Sequence, residues 1–390
     1  MRREAFNGGV VPAVLESAPA EEPTDATRVY VGTYTGPKSQ GIYLFRLEPE
    51  RSRASQNVAL APLGLAAATA NPSFLEIDPK RRLLFAVNEV SLFEGKATGA
   101  VSAFAIDRAK GALSLIDQRP SMGTGPCHLV LDQSRRHVLV ANYGSGSVAV
   151  LPIAPDGRLG AASDVVQHTG SSVNRERQQG PHAHCVTIDR ANRFVFVCDL
   201  GLDKVLAYRF NAGRGTLTPH DPPFAAAKPG AGPRHMVFRP DGRFAYVINE
   251  LHSTVTAFGY DADAGVLRDL QTISTLPEHF DGANSGAEID VHPSGKWLYA
   301  SNRGHNSVVL FAIDAAAGTL TYVEEQGTAG FTPRHFGIDP TAAFLAVGNQ
   351  NSDSILVAGV DAENGRLKPS GVLAYAPSPV CMKFLAPDRT

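Results

Sequence analysis

Residues 126–142 read PCHLVLDQSRRHVLVAN: an apolar run opened by Pro126, a polar turn, and a second apolar run that stops at Asn142. The phrase recurs as Pro72 to Asn88 (PSFLEIDPKRRLLFAVN), Pro233 to Asn249 (PRHMVFRPDGRFAYVIN) and Pro333 to Asn349 (PRHFGIDPTAAFLAVGN), each with a Pro-to-Asn offset of sixteen. Pro181 to Asp199 reads as a variant two residues longer, and Glu288 to Asn302 as one without the proline. The anchors Asn88, Asn142, Asp199, Asn249, Asn302 and Asn349 are therefore 54, 57, 50, 53 and 47 residues apart. A third apolar run follows each anchor, as in SVAVLPI and TVTAFGY, then a turn and a shorter fourth run, as in Asp314 to Glu324 (DAAAGTLTYVE).

Four antiparallel strands at this period describe the blade of a β-propeller. Six units are internal. A seventh is split, with Arg28 to Glu48 supplying middle strands and Pro379 to Leu385 (PVCMKFL) resembling a first strand. Such a blade closes the ring and removes an open sheet edge. Period-two alternation and β-branched residues dominate, with no long helical pattern. The expected fold is all-β: a seven-bladed β-propeller, four antiparallel strands per blade, one blade closed by N- and C-terminal strands. Residues 27–390 form one propeller domain, and residues 1–26, rich in Ala, Pro and Glu, are predicted to be a disordered extension.

Composition narrows the function classes. A formal charge of −2 with no basic stripe argues against a nucleic-acid partner. Nowhere do eighteen uncharged apolar residues run together, so no membrane span is expected. The four cysteines (Cys127, Cys185, Cys198 and Cys381) lack C-x-x-C spacing and read as buried free thiols of a reducing compartment. Pro12 and Glu16 interrupt the apolar run that a secretory signal needs. The expectation is a cytoplasmic protein, monomeric or a weak homo-oligomer.

The first two strands of a blade form a hairpin, so residues around each Pro and just after each Asn ring one opening. Seven of the twelve histidines fall there (His128, His182, His184, His235, His252, His305 and His335), with Arg234, Arg303, Arg334, Glu89, Glu250 and Glu288. A single such histidine would ordinarily be a structural turn residue. Their convergence from different blades predicts a polar pocket on the axis. Arginine forks suit a carboxylate or phosphate, and histidine and glutamate suit proton transfer. No G-x-S-x-G elbow indicates a serine nucleophile. His182-Ala-His184 could share a strand face, but no acidic cluster joins the pair, so no metal is expected there. Cys127 beside His128, and Cys185 beside His184, raise a thiol nucleophile; strict alternation would turn each pair to opposite faces.

These segments resemble the lactonase family of seven-bladed propellers. The matching pieces include VYVGTYT (29–35), ANPSFLEIDP (70–79), RQQGPHAH (177–184), GPRHMVF (232–238), INELHSTVTAF (248–258), AEIDVHPSGKWLYASNRGHNSV (287–308) and TPRHFGIDP (332–340). That family holds propeller-type 6-phosphogluconolactonases and the fungal 3-carboxy-cis,cis-muconate lactonizing enzyme. The resemblance implies a cofactor-free axial site using a histidine, two arginines and a glutamate. The arginines match Arg234 and Arg303, the glutamate matches Glu250, and the histidine matches His184, with His182 as the alternative.

The expected function is hydrolysis of a sugar lactone, 6-phosphogluconolactone before others. Arg234 and Arg303 hold the anion or the developing oxyanion, while Glu250 or His184 acts as general base on water and the other protonates the leaving alkoxide. Arg177, His128, His182, His235, Glu288, His335 and Gln350 are expected to bind substrate. The rival readings are a lactonizing isomerase with the same arginines and a non-catalytic interaction propeller.

Overall fold

Each repeat does fold as one four-stranded antiparallel sheet, giving seven sheets. The computed structural model describes residues 26–49 and 58–387, so the expected N-terminal extension lies, save its last residue, outside them. Among the described residues there is no α-helix, and a single 3-10 turn spans Gln350–Ser352. The split blade is present. Pro379–Leu385 pairs antiparallel with Arg28–Thr33, which pairs with Gly41–Pro49 and then Val58–Ala68. The innermost strands touch around the whole ring, with Pro379–Leu385 lying between Pro333–Ile338 and Leu75–Asp78.

Burial follows radius rather than a uniform alternation. The second strands Leu83–Asn88, His137–Asn142, Phe194–Asp199 and Phe244–Asn249 are buried at every residue. Each is covered on both faces by neighbouring blades, so it reads as a continuous apolar run. The outermost strands are the exposed ones, as in Leu113–Pro120, where Leu113 alone is buried and one edge meets water. The cores therefore lie between blades. Tyr246, Ile248 and Val255 of one blade pack with Ile289, Leu298 and Phe311 of the next, at about 1.5–3 kcal/mol per fully buried large side chain.

The anchor residues fasten these blades together, except Asn249, whose Nδ2 donates to Thr254 and Thr256 of its own blade. Asn142 Nδ2 donates to the Ser121 carbonyl, Asn302 to Thr275 and Asn349 to Thr328, each on the link entering that blade from its predecessor. The one aspartate has its own reason. At Asp199 the link presents His168, whose Nδ1 lies 2.7 Å from Asp199 Oδ2, and a carboxylate is the better partner for an imidazole N–H.

The register corrects one expectation. Ala183, not Pro181, pairs with Asp199, and Gly286 pairs with Asn302. Both blades thus keep the sixteen-residue offset of Pro126 with Asn142, and the fourth blade has no insertion. The two residues that looked extra belong to the preceding loop, 168–182.

Candidate active site

Immediately after the opening residue of most innermost strands the ladder slips by one. The shift falls between Pro126 and His128, Ala183 and Cys185, Pro233 and His235, and Pro333 and His335. A bulge sets two residues against one, which breaks strict alternation. Arg234 with His235, Arg334 with His335, and Ser73 with Phe74 therefore all line one axial cavity, together with Glu89, Cys127, Glu288 and Val380. Cys127 thus faces the axis, where strict alternation would have turned it away.

The corrected register sorts the axis into levels. Phe74, His128, Cys185, His235, Glu288, His335 and Cys381 hold one equivalent position in the seven blades. They meet one another. The rings of Phe74 and His128 are 4.1 Å apart, His128 and His235 5.2 Å, and Cys185 Sγ lies 3.6 Å from His128 Nε2. His235 Nδ1 is 3.0 Å from Glu288 Oε1, and His335 Nε2 is 3.4 Å from Glu288 Oε2. One position earlier stand the bulged residues, among them Cys127, His184, Arg234 and Arg334. The residues following the anchors, Tyr34, Glu89, Tyr143, Leu200, Glu250, Arg303 and Gln350, occupy a third equivalent position.

Glu250 gathers the charge. Its Oε2 lies 2.8 Å from Arg303 Nη2 and 3.2 Å from Arg234 Nε, and its Oε1 lies 2.7 Å from Arg177 Nη2. Burial alone would push this carboxyl up, but Arg303, Arg234 and Arg177 outweigh it and hold it at about 2. Burial pushes Arg303 down to about 10, against the pull of Glu250. Arg177 reaches in from loop 168–182. That loop is fixed by Gln178, whose Nε2 donates to the Leu200 carbonyl and to Asp203 Oδ1, both at 2.8 Å. Gly201 lies so close to the Gly180 carbonyl that any side chain there would collide with it.

A second chain flanks the first. Arg334 Nη2 donates to Tyr34 Oη at 2.9 Å, and that hydroxyl donates to Glu89 Oε2 at 2.9 Å. The imidazoles between the chains are kept neutral. Burial, with nearby Arg234 acting the same way, holds His184 and His235 well below the ordinary histidine range. Burial also pushes the Cys127 thiol well up, and its Sγ lies 3.2 Å from the His184 carbonyl as a protonated donor. All four cysteines are free and buried, and burial disfavours the thiolate that a Cys127 nucleophile would need.

The chain whose closed seven-bladed ring carries this axial cluster matches, over residues 28–384, the family described as Lactonase, 7-bladed beta-propeller. The chain belongs to this lactonase family. It is 36% identical over 356 residues to a 6-phosphogluconolactonase of Bacillus subtilis, covering 91% of this chain and 97% of that one. A 6-phosphogluconolactonase of Formosa agariphila is 32% identical over 344 residues, covering 87% and 94%. Among solved structures, the periplasmic gluconolactonase PpgL of Pseudomonas aeruginosa superposes with a TM-score of 0.86 at 36% identity, covering 93% of this chain and all of that one.

Within this lactonase, the structure brings Arg177, His184, Arg234, Glu250 and Arg303 into one cluster, with His184 Nε2 4.0 Å from Glu250 Oε2. His128, His235, Glu288 and His335 form the adjoining axial group. His182 does not pair with His184. It stands at the rim, stacked 4.4 Å over the Tyr143 ring with Nδ1 2.9 Å from the Tyr143 carbonyl. Gln350 opens the 3-10 turn, its N–H bonded to the Thr332 carbonyl, and its side chain hydrogen-bonds to none of the cluster. His305 bonds Ser307 within its own turn, and His252 is exposed. Sequence reading left Arg334, Tyr34, Tyr143 and Phe74 without roles. Arg334 was findable, since T-P-R-H repeats G-P-R-H.

Proposed function

We propose that this lactonase hydrolyses an anionic aldonolactone, 6-phosphogluconolactone first among them, at the axial cluster. The carrying observation is charge. Four guanidiniums (Arg177, Arg234, Arg303 and Arg334) converge against three carboxylates (Glu89, Glu250 and Glu288), leaving one net positive charge beside neutral histidines. A largely desolvated site of this sign favours a phosphorylated lactone over a neutral one. The curated relatives named above support the same substrate class.

In this reading an arginine fork aligns the phosphate while Arg234 and Arg303 stand ready for the oxyanion that forms when water adds to the lactone carbonyl. Glu250, clamped by three arginines, is a weak base, so its part is to fix those arginines. The proton from water passes to a neutral imidazole, for which His184 and His235 are placed. Collapse breaks the ring C–O bond, and the proton goes to the departing alkoxide. The four unpaired thiols favour a reducing compartment and hence the cytoplasm, which fractionation beside a periplasmic marker checks.

The test is a panel of 6-phosphogluconolactone, gluconolactone and 3-carboxymuconate followed by proton release. The expected order of kcat/KM has the phosphorylated lactone first. Preferred turnover of gluconolactone would remove the phosphate reading, and turnover of muconate alone would replace hydrolysis by lactonization.

A further inference from the structure

We propose that His235 is the general base that takes the proton from the attacking water, and that Glu288 is the positioning residue that directs it. The proposal rests on the lactone-hydrolysis reading and names a group within that same site. Glu288 Oε1 stands 3.0 Å from His235 Nδ1. A carboxylate can only accept, so the ring proton is held on Nδ1 and the lone pair stays on Nε2. His235 Nε2 has no hydrogen-bonding partner and is buried. Both residues line the cavity into which Arg234 and Arg334 also project. The base, its orienting carboxylate and the oxyanion donor Arg234 thus share one space, as acyl transfer to water requires.

His184 lacks this arrangement. Its Nδ1 faces Cys127 Sγ at 3.7 Å and its Nε2 faces Glu250 Oε2 at 4.0 Å, so no carboxylate fixes its tautomer at hydrogen-bond distance. It is left as a wall of the site, its ring 5.1 Å from that of His235.

The step balances without a cofactor. Water oxygen bonds to the lactone carbonyl carbon as His235 Nε2 takes a water proton, and the carbonyl π pair moves onto oxygen beside Arg234. The imidazolium is stabilised by Glu288. When the tetrahedral adduct collapses, the ring C–O bond breaks and Nε2 returns the proton to the ring oxygen.

Two measurements decide the proposal. Nitrogen-15 histidine spectra of the intact protein should show His235 as the neutral Nδ1–H tautomer at pH 7. A proton on Nε2 overturns the assignment whether or not any lactone is turned over. In kinetics with 6-phosphogluconolactone, His235→Gln should lower kcat about 10²-fold or more, the usual worth of a general base, with KM within about threefold. His184→Gln should lower kcat by less than about tenfold. Glu288→Gln keeps an acceptor at Nδ1 but loses the charge, so kcat should fall about tenfold and the acid limb of kcat should move to lower pH. His235 is faced by Glu288 at Nδ1, by His128 and His184 at its edges, and by the positive potential of Arg234, Arg334, Lys383 and Arg303. His335 shares Glu288, its Nε2 3.4 Å from Oε2, so the limb belongs to His235 if His335→Gln leaves it in place, and a limb that moves with His335→Gln overturns the assignment. If His235→Gln stays folded with kcat within threefold of the parent, the base lies elsewhere. Absence of wild-type turnover on every lactone would instead remove the functional reading, and the tautomer would still judge the dyad.

Discussion

Arg303 Nη2 is shared between Glu250 Oε2, at 2.8 Å, and the Gly286 carbonyl, at 2.9 Å. One guanidinium therefore belongs to the axial cluster and ties two strands of its own blade. Arg303→Ala is expected to lose about 2–4 kcal/mol of transition-state stabilisation, the range for one preorganised donor. It should also lose about 1–3 kcal/mol of folding stability. That is less than a fully broken buried pair, because Glu250 keeps Arg234 and Arg177. Arg303→Lys should recover most of the stability and little of kcat/KM, since lysine keeps the charge without the fork. Denaturation and turnover measured on the same preparations check this, and a lysine variant with full kcat/KM would show that charge alone suffices.

Glu250 makes stability depend on pH in a defined direction. Its folded carboxyl is held at about 2, below the usual unfolded value of about 4.3. A depressed acid contributes stability that is complete above the unfolded value and lost as pH falls through the folded one. Unfolding free energy should thus decline between about pH 4.5 and pH 2, by at most about 3 kcal/mol from this residue. Glu250→Gln should start lower at pH 7 and show a shallower acid decline. Parallel acid curves for the two proteins would show that the clamp carries no linkage.

The repeat was legible because burial on both faces writes itself as unbroken apolar runs, as in FVFVCD at Phe194–Asp199. The closing blade was legible because Pro379–Leu385 begins like every other innermost strand. Position within a blade was harder to read. Pro181 resembles the opening proline of its neighbours, yet hydrogen-bond register gives that place to Ala183. A one-residue bulge also leaves no mark in composition, so the joint arrival of Arg234 and His235 on the axis could not be inferred from alternation. Tyr34 acquires meaning only when ring closure sets it beside Arg334, three hundred residues away in sequence.

Metal removal should leave turnover unchanged. His182 Nδ1 is committed to the Tyr143 carbonyl, and His184 sits in the bulge, so the H-x-H pair does not present two imidazoles to one ion. Among the described residues no group of three or more His, Cys, Asp or Glu side chains is arranged to hold a metal. Dialysis against EDTA followed by assay with 6-phosphogluconolactone checks this. Activity lost on dialysis and restored by a divalent cation would overturn it.

Removing the C-terminal strand should open the ring. Val380, Cys381, Met382 and Leu385 are each no more than 5% exposed. At about 1.5–3 kcal/mol per buried side chain, their loss forfeits about 6–12 kcal/mol. Domains of this kind have only about 5–15 kcal/mol in total. The cut also strips Arg28–Thr33 of its inner partner, exposing a strand edge that can recruit other chains. Val380 lines the axial cavity, so the site loses a wall as well. A chain ending at Ala376 is therefore expected to aggregate, or to melt far below the full-length protein without lactonase activity. Met382→Ala gives a graded version, with about 2–5 kcal/mol lost and the fold retained. Because the missing piece is a strand, a synthetic peptide covering residues 377–390 should bind the truncated chain by strand addition and restore part of its melting temperature. A truncated protein that stays monomeric, melts like the parent and ignores the peptide would show that the ring closes without its seventh inner strand.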